Sequence, residues 1–151
     1  MSPVTTTETS IRPATRADSG AVRKLLTDAK LPLEGVPADL DHFLVAERAG
    51  AVVGAIGLER YGSAALLRSA VVDPTLRGSG IGERLVEALL AEAKRAGTKE
   101  LVLLTTTAER WFPRFGFSRI TRDAAPKSLH ASEEFRGACP ETAVVMVRRL
   151  D

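Results

Sequence analysis

The sequence predicts a single domain of the α/β (α+β) class. A chain of 151 residues is long enough to bury one sizeable core. Strand-like apolar runs alternate along it with amphipathic helical patterns, and residues 101–104 are continuously apolar, which is typical of a strand buried on both faces. We expect residues 1–151 to form one domain, with residues 1–9 as a loose leader before the first strand.

The first elements in order are a strand and two helices. Residues 10–13 form the strand, and Asp18 opens a helix whose apolar side chains recur at helical spacing. Those side chains are Val22, Leu25, Leu26 and Ala29. A second, short helix is expected over residues 37–41, because proline suits the first turn of a helix.

Three strands follow. Residues 43–48 and 51–58 are strand-like runs, and the Ala49-Gly50 pair between them predicts a hairpin turn. Residues 64–72 form the next apolar strand, which leads into the glycine-rich turn described below.

The second half alternates helices and strands. Apolar residues keep helical spacing over residues 81–96, and Gly97 supplies the C-cap. After the strand at 101–104 we expect a short helix over 108–114, and then strands at 117–122 and 143–147. Residues 124–140 show no clear period, which predicts an excursion over the surface. The whole chain therefore predicts about seven strands and about four helices.

A glycine-rich turn over residues 77–82 joins a strand to a long helix. Alternate glycines let a ligand approach the backbone, and the unpaired amides at the start of a helix suit an anion. The dinucleotide pattern GxGxxG would need glycine where Glu83 stands, and no lysine follows a glycine as in GxxxxGK[ST]. A phosphate cradle is predicted, and a helix entry without a ligand is the alternative.

Composition argues against several classes of partner. The net charge is only +2, with 21 basic and 19 acidic residues, and 5% of the residues are aromatic, so a nucleic-acid surface is not expected. No apolar run approaches the roughly 20 residues of a membrane span, and the N-terminus lacks a secretory pattern. We expect a cytoplasmic protein that has no membrane partner. Whether it forms a homodimer is left open.

Metal binding and thiol chemistry are not expected either. The single cysteine, Cys139, excludes an internal disulfide. The chain has only two histidines, His42 and His130, so a zinc site is not expected. Cys139 is interpreted as structural or near the substrate, and the two histidines as surface or loop residues.

The glycine turn also matches Arg/Gln-x-x-Gly-x-Gly/Ala, through Arg77, Gly80 and Gly82. This pattern resembles that of the GCN5-related N-acetyltransferases (GNAT), and the predicted element order is similar to that fold over nearly the whole chain. Shorter strings resemble the arsenic-resistance N-acetyltransferases, which are similar in turn to short amino-acid N-acetyltransferases. These strings are residues 57–62, 65–69, 103–108, 134–135 and 139–140.

The resemblance implies a mixed sheet in which strands 4 and 5 splay apart to admit acetyl-CoA as cosubstrate. The fourth strand would then offer backbone groups to the pantetheine, and the glycine turn would hold the pyrophosphate. The residues implied are Ala70, Val71, Val72, Arg77, Gly78, Ser79, Gly80, Ile81 and Gly82.

Acetyl transfer to an amine needs a base for the ammonium proton and a proton for the leaving thiolate. Glu59 is the candidate base, and a solvated strand-end residue is the alternative. The resemblance implies a tyrosine that protonates the thiolate at the position of Phe112, as in many GNAT enzymes, but this sequence has phenylalanine there. Tyr61 could substitute for it, although a hairpin aromatic covering the core is the simpler interpretation.

Arg68 interrupts an apolar strand and therefore needs a charged or polar partner. It could clamp a substrate carboxylate or another oxyanion bidentately, or form an internal salt bridge, even with Glu59. The hydroxyls of Ser69, Thr105 and Thr106 would lie near the same cleft.

The resemblance thus implies an acetyl-CoA-dependent N-acetyltransferase that acts on the primary amine of a small amino-acid-like molecule by direct transfer. Arsenic or antimetabolite resistance is the first interpretation. Acetylation of glutamate or another amino acid is an alternative, and a non-catalytic CoA-binding module, consistent with Phe112, is another.

Overall fold

The residues that the structure describes form a mixed seven-stranded sheet with helices on both faces. The computed structural model describes residues 8–138 and 142–150. The strands are β1 (Thr9–Pro13), β2 (Phe43–Arg48), β3 (Ala51–Tyr61), β4 (Ala64–Val72), β5 (Glu100–Thr105), β6 (Ser118–Ile120) and β7 (Val144–Arg149). The order across the sheet is β1-β2-β3-β4-β5-β7-β6. Among the described strands β4 and β5 form the parallel pair, and the other neighbours are antiparallel.

The described residues contain two α-helices, α1 (Ser19–Asp28) and α2 (Ile81–Arg95), which pack on opposite faces of the sheet. Ala46 and Ile56 pack with α2, whereas their chain neighbours Val45 and Ala55 pack with α1. Side chains alternate between the two faces of a strand, so the apolar runs of the central strands serve two cores. None of these described helices is long and apolar enough to cross a membrane.

Asp18 fixes the start of α1. Its carboxylate accepts a hydrogen bond from the backbone N–H of Thr15 at 2.7 Å and two from the Arg12 guanidinium of β1, each at 2.9 Å. The Arg12 hydrogen bonds lower the pKa of Asp18 to about 2, because they stabilise the charged form. These hydrogen bonds fix the first turn of α1 against β1.

The segment after β6 contributes to the core, so the prediction of a surface excursion over residues 124–140 is wrong in part. Residues Lys127–Ala131 form a 3₁₀ helix, and its Leu129 is fully buried against Leu66 of β4 and Val102 of β5. A short turn of this kind buries one or two side chains without helical periodicity, which is why the pattern in the sequence is weak. Cys139 lies outside the described residues.

Most predicted boundaries agree with the structure to within a few residues. The strands predicted at 43–48 and 64–72 have those bounds, and Gly97 ends α2 at φ +83°. The helix predicted at 37–41 is wrong, because Leu40 and His42 adopt left-handed backbone angles and the chain forms turns there. At 108–114 the structure has a turn followed by the 3₁₀ helix Phe112–Phe115. Because β1 begins at Thr9, the leader ends earlier than predicted, and residues 1–7 lie outside the described part.

Gly57 should be essential to the packing of β2 on β3. It lies opposite Phe43, and a Cβ atom at Gly57 would meet ring carbons of Phe43 at 2.6 and 2.7 Å. Overpacking of this kind costs about 1–3 kcal/mol, so we expect Gly57→Ala to lower the free energy of unfolding by that amount in urea denaturation. Gly20→Ala in α1 is the matched control, because a Cβ there meets nothing within 4 Å, and its stability should not fall. Equal stability of the two variants would contradict this account.

Candidate active site

The splay between β4 and β5 opens a cavity in the middle of the sheet. The two strands pair through three residues, from Ala64 opposite Glu100 to Leu66 opposite Val102, and then separate. A cavity of about 450 Å³ lies between the separated halves, lined by residues 67–72 and by residues 103–105. Beyond Leu66, β4 pairs with β3 on its other side, so backbone groups that face β5 are available to a ligand.

A β-bulge in β4 lies at the point where the strands separate. Ser69 and Ala70 together oppose Ile56 of β3, and Ser69 adopts a left-handed φ of +59°. Such a φ is uncommon for a residue other than glycine, and bulges of this kind re-aim side chains beside functional sites. Here the bulge leaves Arg68 and Ser69 buried at the wall of the cavity.

The glycine turn forms the outer end of the cavity. Gly78 and Gly80 have φ angles of +82° and +88°, and a Cβ atom at either would meet nothing within 4 Å. Gly80 is the N-cap of α2, whose first amides have no partner within the helix. The predicted residues Arg77, Gly78, Gly80, Ile81 and Gly82 line the cavity; Ser79 does not, and its hydroxyl donates to the carbonyl of Leu76. This end of the cavity offers backbone donors to an anion.

Aromatic side chains close one side of the cavity near the start of α2. A Cβ atom at Gly82 would lie 3.3 Å from the Trp111 ring, which contacts Phe112 and Phe115 edge to face. Phe112 is buried and lines the cavity. Its ring carries no hydroxyl, so it cannot donate a proton from this wall.

A buried arginine lies at the inner end of the cavity. The guanidinium of Arg68 donates to Glu59 Oε1 at 2.8 Å, to Ser69 Oγ at 3.0 Å and to the carbonyl of Pro32 at 3.3 Å. A second carboxylate, Glu134 Oε2, lies 3.6 Å from Nη2 of Arg68. The internal salt bridge that the sequence left open is therefore present, and it joins β4 to β3 and to two connecting segments.

The predicted side chains divide into two groups. Arg68, Ser69 and Thr105 line the cavity, whereas Glu59, Tyr61 and Thr106 do not. Thr105 Oγ1 accepts the backbone N–H of Ala108 at 2.9 Å, which ends β5 in a tight turn. Glu59 and Tyr61 lie behind Arg68 as seen from the cavity, because Glu59 accepts a hydrogen bond from Arg68 and Tyr61 donates one to Glu59.

Glu134 is the residue of this site to which the sequence assigned no role. Its side chain is 5% exposed and lines the cavity. The Glu134-Phe135 string served only to mark a resemblance, because the surrounding segment has no periodicity that would place it. Its long-range pair with Arg68 and its place in the cavity wall identify it.

Within the described residues no group of three or more His, Cys, Asp and Glu side chains could hold a metal ion.

The hydroxyl of Tyr61 donates to Glu59 Oε2 at 2.8 Å. Burial, together with this hydrogen bond to a carboxylate, raises the pKa of Tyr61 to about 12. Tyr61 therefore stays protonated at neutral pH and holds the second oxygen of Glu59. Because the unfolded phenol titrates near 10, the stability that this group contributes is present below about pH 10 and is lost as the pH rises toward 12.

We expect the tyrosinate absorbance of the folded protein to appear with a midpoint near 12, and Glu59→Gln to move it toward 10, because the carboxylate charge is removed. The chain has a single tyrosine, so an ultraviolet pH titration reports this group alone. Glu92→Gln, which removes an exposed carboxylate of α2 paired with Arg95, is the control and should leave the midpoint unchanged. A midpoint near 10 in the unsubstituted protein would contradict the network.

Comparison with known proteins agrees with this geometry. The family model described as an acetyltransferase (GNAT) domain matches residues 39–119. The amino-acid acetyltransferase of Ralstonia nicotianae is 32% identical over 126 residues, which are 78% of this chain and 28% of that protein. The amino-acid acetyltransferase of Escherichia coli K12 is 29% identical over 130 residues, which are 78% of this chain and 29% of that protein. The chain thus spans less than a third of the length of these curated relatives.

Solved structures share the fold. N-acetylglutamate synthase from Neisseria gonorrhoeae, complexed with coenzyme A and N-acetyl-glutamate, superposes with a TM-score of 0.82 at 24% identity and covers 95% of this chain and 35% of that one. A Mycobacterium tuberculosis protein in complex with CoA has a TM-score of 0.77 at 25% identity and covers 94% of this chain and 99% of its own. The family model spans more than half of the chain and includes β4, the glycine turn and β5. The chain belongs to the GNAT family of acetyltransferase domains.

Proposed function

We propose that this protein is an acetyl-CoA-dependent N-acetyltransferase that acetylates the amino group of an amino-acid-like molecule. The observation that carries the proposal is the continuous cavity, which runs from the glycine turn, through the splay, to the buried charges at Arg68 and Glu134. One end suits a pyrophosphate and the other suits a polar acceptor, with the unpaired edge of β4 between them.

The residues present fit acetyl-CoA, which would supply the acetyl thioester. The open space beside Gly78 and Gly80 lets an anion reach the backbone at the start of α2. The β4 residues Ala70, Val71 and Val72 line the splay, where their backbone groups would bind the pantetheine arm. Arg77 lines the same end and would add charge. These roles do not depend on side-chain identity in β4, so they tolerate its apolar sequence.

The acceptor is proposed from the relatives. The curated relatives named above are amino-acid acetyltransferases, which favours an amino acid over an organoarsenical as the acceptor. The arsenic-resistance interpretation depends on short strings alone, and the relatives described here add no support to it. A non-catalytic CoA-binding module stays the rival, because Phe112 removes one proton donor from the cavity wall.

The side-chain roles at the acceptor end stay predictions. Neither Glu59 nor Tyr61 lines the cavity. As base and proton donor they would have to act on the substrate through the hydrogen bonds that link them to Arg68. Arg68 as an oxyanion clamp would have to bind substrate while it keeps Glu59, Ser69 and Pro32. Ser69 and Thr105 line the cavity and could bind the acceptor there, whereas Thr106 is exposed.

An acceptor screen tests the activity. The purified chain is incubated with acetyl-CoA and single amines: the common amino acids, glutamate among them, an amino-acid organoarsenical and simple alkylamines. We expect at least one α-amino acid to release CoA thiol well above the amine-free rate, because the inner end of the cavity holds charged side chains that suit a polar amine. The amine-free control also subtracts the thiol of Cys139. Binding of acetyl-CoA without release by any amine would favour the binding module, and release by the organoarsenical alone would favour resistance.

A second experiment tests the pyrophosphate site. We expect Gly80→Val to weaken acetyl-CoA binding by about tenfold or more in calorimetry, because the branched side chain obstructs the start of α2. Gly50→Val is the matched control: Gly50 has a φ of +81°, against +88° at Gly80, and likewise has open space around it, but it lies in the β2–β3 hairpin. Both variants carry the same backbone strain, so equal acetyl-CoA affinity in the two would contradict the site.

A further inference from the structure

The inner end of the cavity holds more carboxylate than guanidinium charge. Glu59 and Glu134 both lie against Arg68, at 2.8 and 3.6 Å. The side chain of Arg68 is 0% exposed, that of Glu134 is 5% exposed and that of Glu59 is 18% exposed. With both acids ionised, these three described side chains together carry a net charge of −1, and this charge is largely shielded from water. A cluster of that sign attracts an ammonium and repels a carboxylate.

Each nitrogen of the Arg68 guanidinium donates a hydrogen bond within the protein. Its Nε donates to Ser69, Nη1 to Glu59 and Nη2 to the carbonyl of Pro32. These bonds use three of the five guanidinium N–H groups, and a substrate oxyanion at either of the others would share the guanidinium with Glu59 and Glu134, whose negative charges repel it. The arrangement therefore favours a structural role for Arg68 over the clamping of substrate.

The two carboxylates differ in what they face. Glu134 lines the cavity, and its Oε2 forms an ion pair with Nη2 of Arg68 at 3.6 Å. Glu59 does not line the cavity, and its two oxygens accept hydrogen bonds from Arg68 and Tyr61. Of the two, Glu134 is the carboxylate that a molecule in the cavity meets first.

We propose that Glu134 binds the ammonium of the acceptor and takes its proton, and that Glu59 is a positioning residue that holds Arg68 in place behind it. This inference rests on the proposed N-acetyltransferase activity and deepens it: the acceptor is recognised first as a cation. The carboxylate of an amino-acid substrate then lies away from Arg68, toward the mouth of the cavity.

The proposed step balances. The ammonium gives one proton to the Glu134 carboxylate, which later releases it to solvent. The neutral nitrogen then forms a bond to the acetyl carbon, the carbon–sulfur bond breaks, and the second nitrogen proton ends on the departing thiolate. The products are an N-acetyl amide, CoA with a free thiol, and one proton.

Among the described residues, several charged or titratable groups belong to the network that includes Glu134. Arg68 of β4 contacts Glu134, Glu59 and Tyr61 of β3 follow behind Arg68, and Glu133 lies next to Glu134 in the chain. Glu133 is half exposed and pairs with Arg136 at 3.8 Å, so it provides a neighbouring carboxylate outside the cavity. It serves as the matched control.

The test compares Glu134→Gln, Glu59→Gln and Glu133→Gln, with the best acceptor from the screen. We expect Glu134→Gln to lower kcat/KM for the amine by about 10² or more, while acetyl-CoA affinity by calorimetry changes less than about twofold. The loss should shrink as the pH rises, because more of the free amine is already neutral. Glu133→Gln should stay within about twofold of the unsubstituted protein.

Glu59→Gln separates the positioning role from the base. Its loss should stay constant with pH, because the base is still present, and it should appear chiefly in KM for the amine. If instead Glu59→Gln shows the loss that shrinks with pH and Glu134→Gln does not, the assignment is reversed and this inference is overturned.

A second variant covers the case in which Glu134→Gln does not fold. Glu134→Asp keeps the charge and should retain at least tenfold more activity than Glu134→Ala, measured on folded protein at neutral pH. Equal activity of these two variants, or turnover by Glu134→Gln within twofold of the unsubstituted protein, overturns the inference. If the unsubstituted protein acetylates no amine at all, it is the proposed function that fails.

Discussion

The separation of β4 from β5 is the constraint on which the rest of the site depends. A strand in the middle of a sheet normally satisfies its backbone groups on both sides, and a buried group without a partner is costly. Here β4 has three pairs with β5 and then none, although β5 continues to Thr105. The opening is stable because two packed faces hold the strands from above and below, and because β4 keeps its pairing to β3. The result is a slot with polar edges and apolar walls.

Burial of Arg68 follows from the same opening. A guanidinium cannot be taken out of water without partners, and the bulge at Ser69 places it where several segments converge. Glu59 comes from β3, the Pro32 carbonyl from the connection after α1, and Glu134 from the segment before β7. Gly35 belongs to the same arrangement, since a Cβ there would lie 2.6 Å from Arg68 Nη1. One buried charge thus ties two connecting segments to the central strands.

The sequence predicts what local periodicity and turn chemistry determine. Strands β2 and β4, helix α2 with Gly97, and the glycine turn follow from patterns within a few residues of each other. Features that depend on contacts between distant parts of the chain cannot be predicted from such local patterns. The turns at 37–41 depend on Leu40 packing into the core of α1, and Glu134 belongs to the site only through its pair with Arg68, which lies far away along the chain. Local propensity cannot report contacts of that kind, and tertiary packing overrides it where they conflict.

The difference between local patterns and non-local contacts also explains why the sequence identifies the family more readily than the acceptor. The match to the acetyltransferase family covers residues 39–119, which contain the splay, the bulge and the glycine turn. Pro32 and Glu134, which both contact Nη2 of Arg68 and line the acceptor end, lie outside that match. Backbone groups would bind acetyl-CoA and tolerate many side chains, whereas side chains from the connecting segments, which vary more than the sheet, would select the acceptor. The specificity of this protein is therefore expected to reside in the two segments that Arg68 holds, and a change of acceptor would require changes there rather than in the sheet.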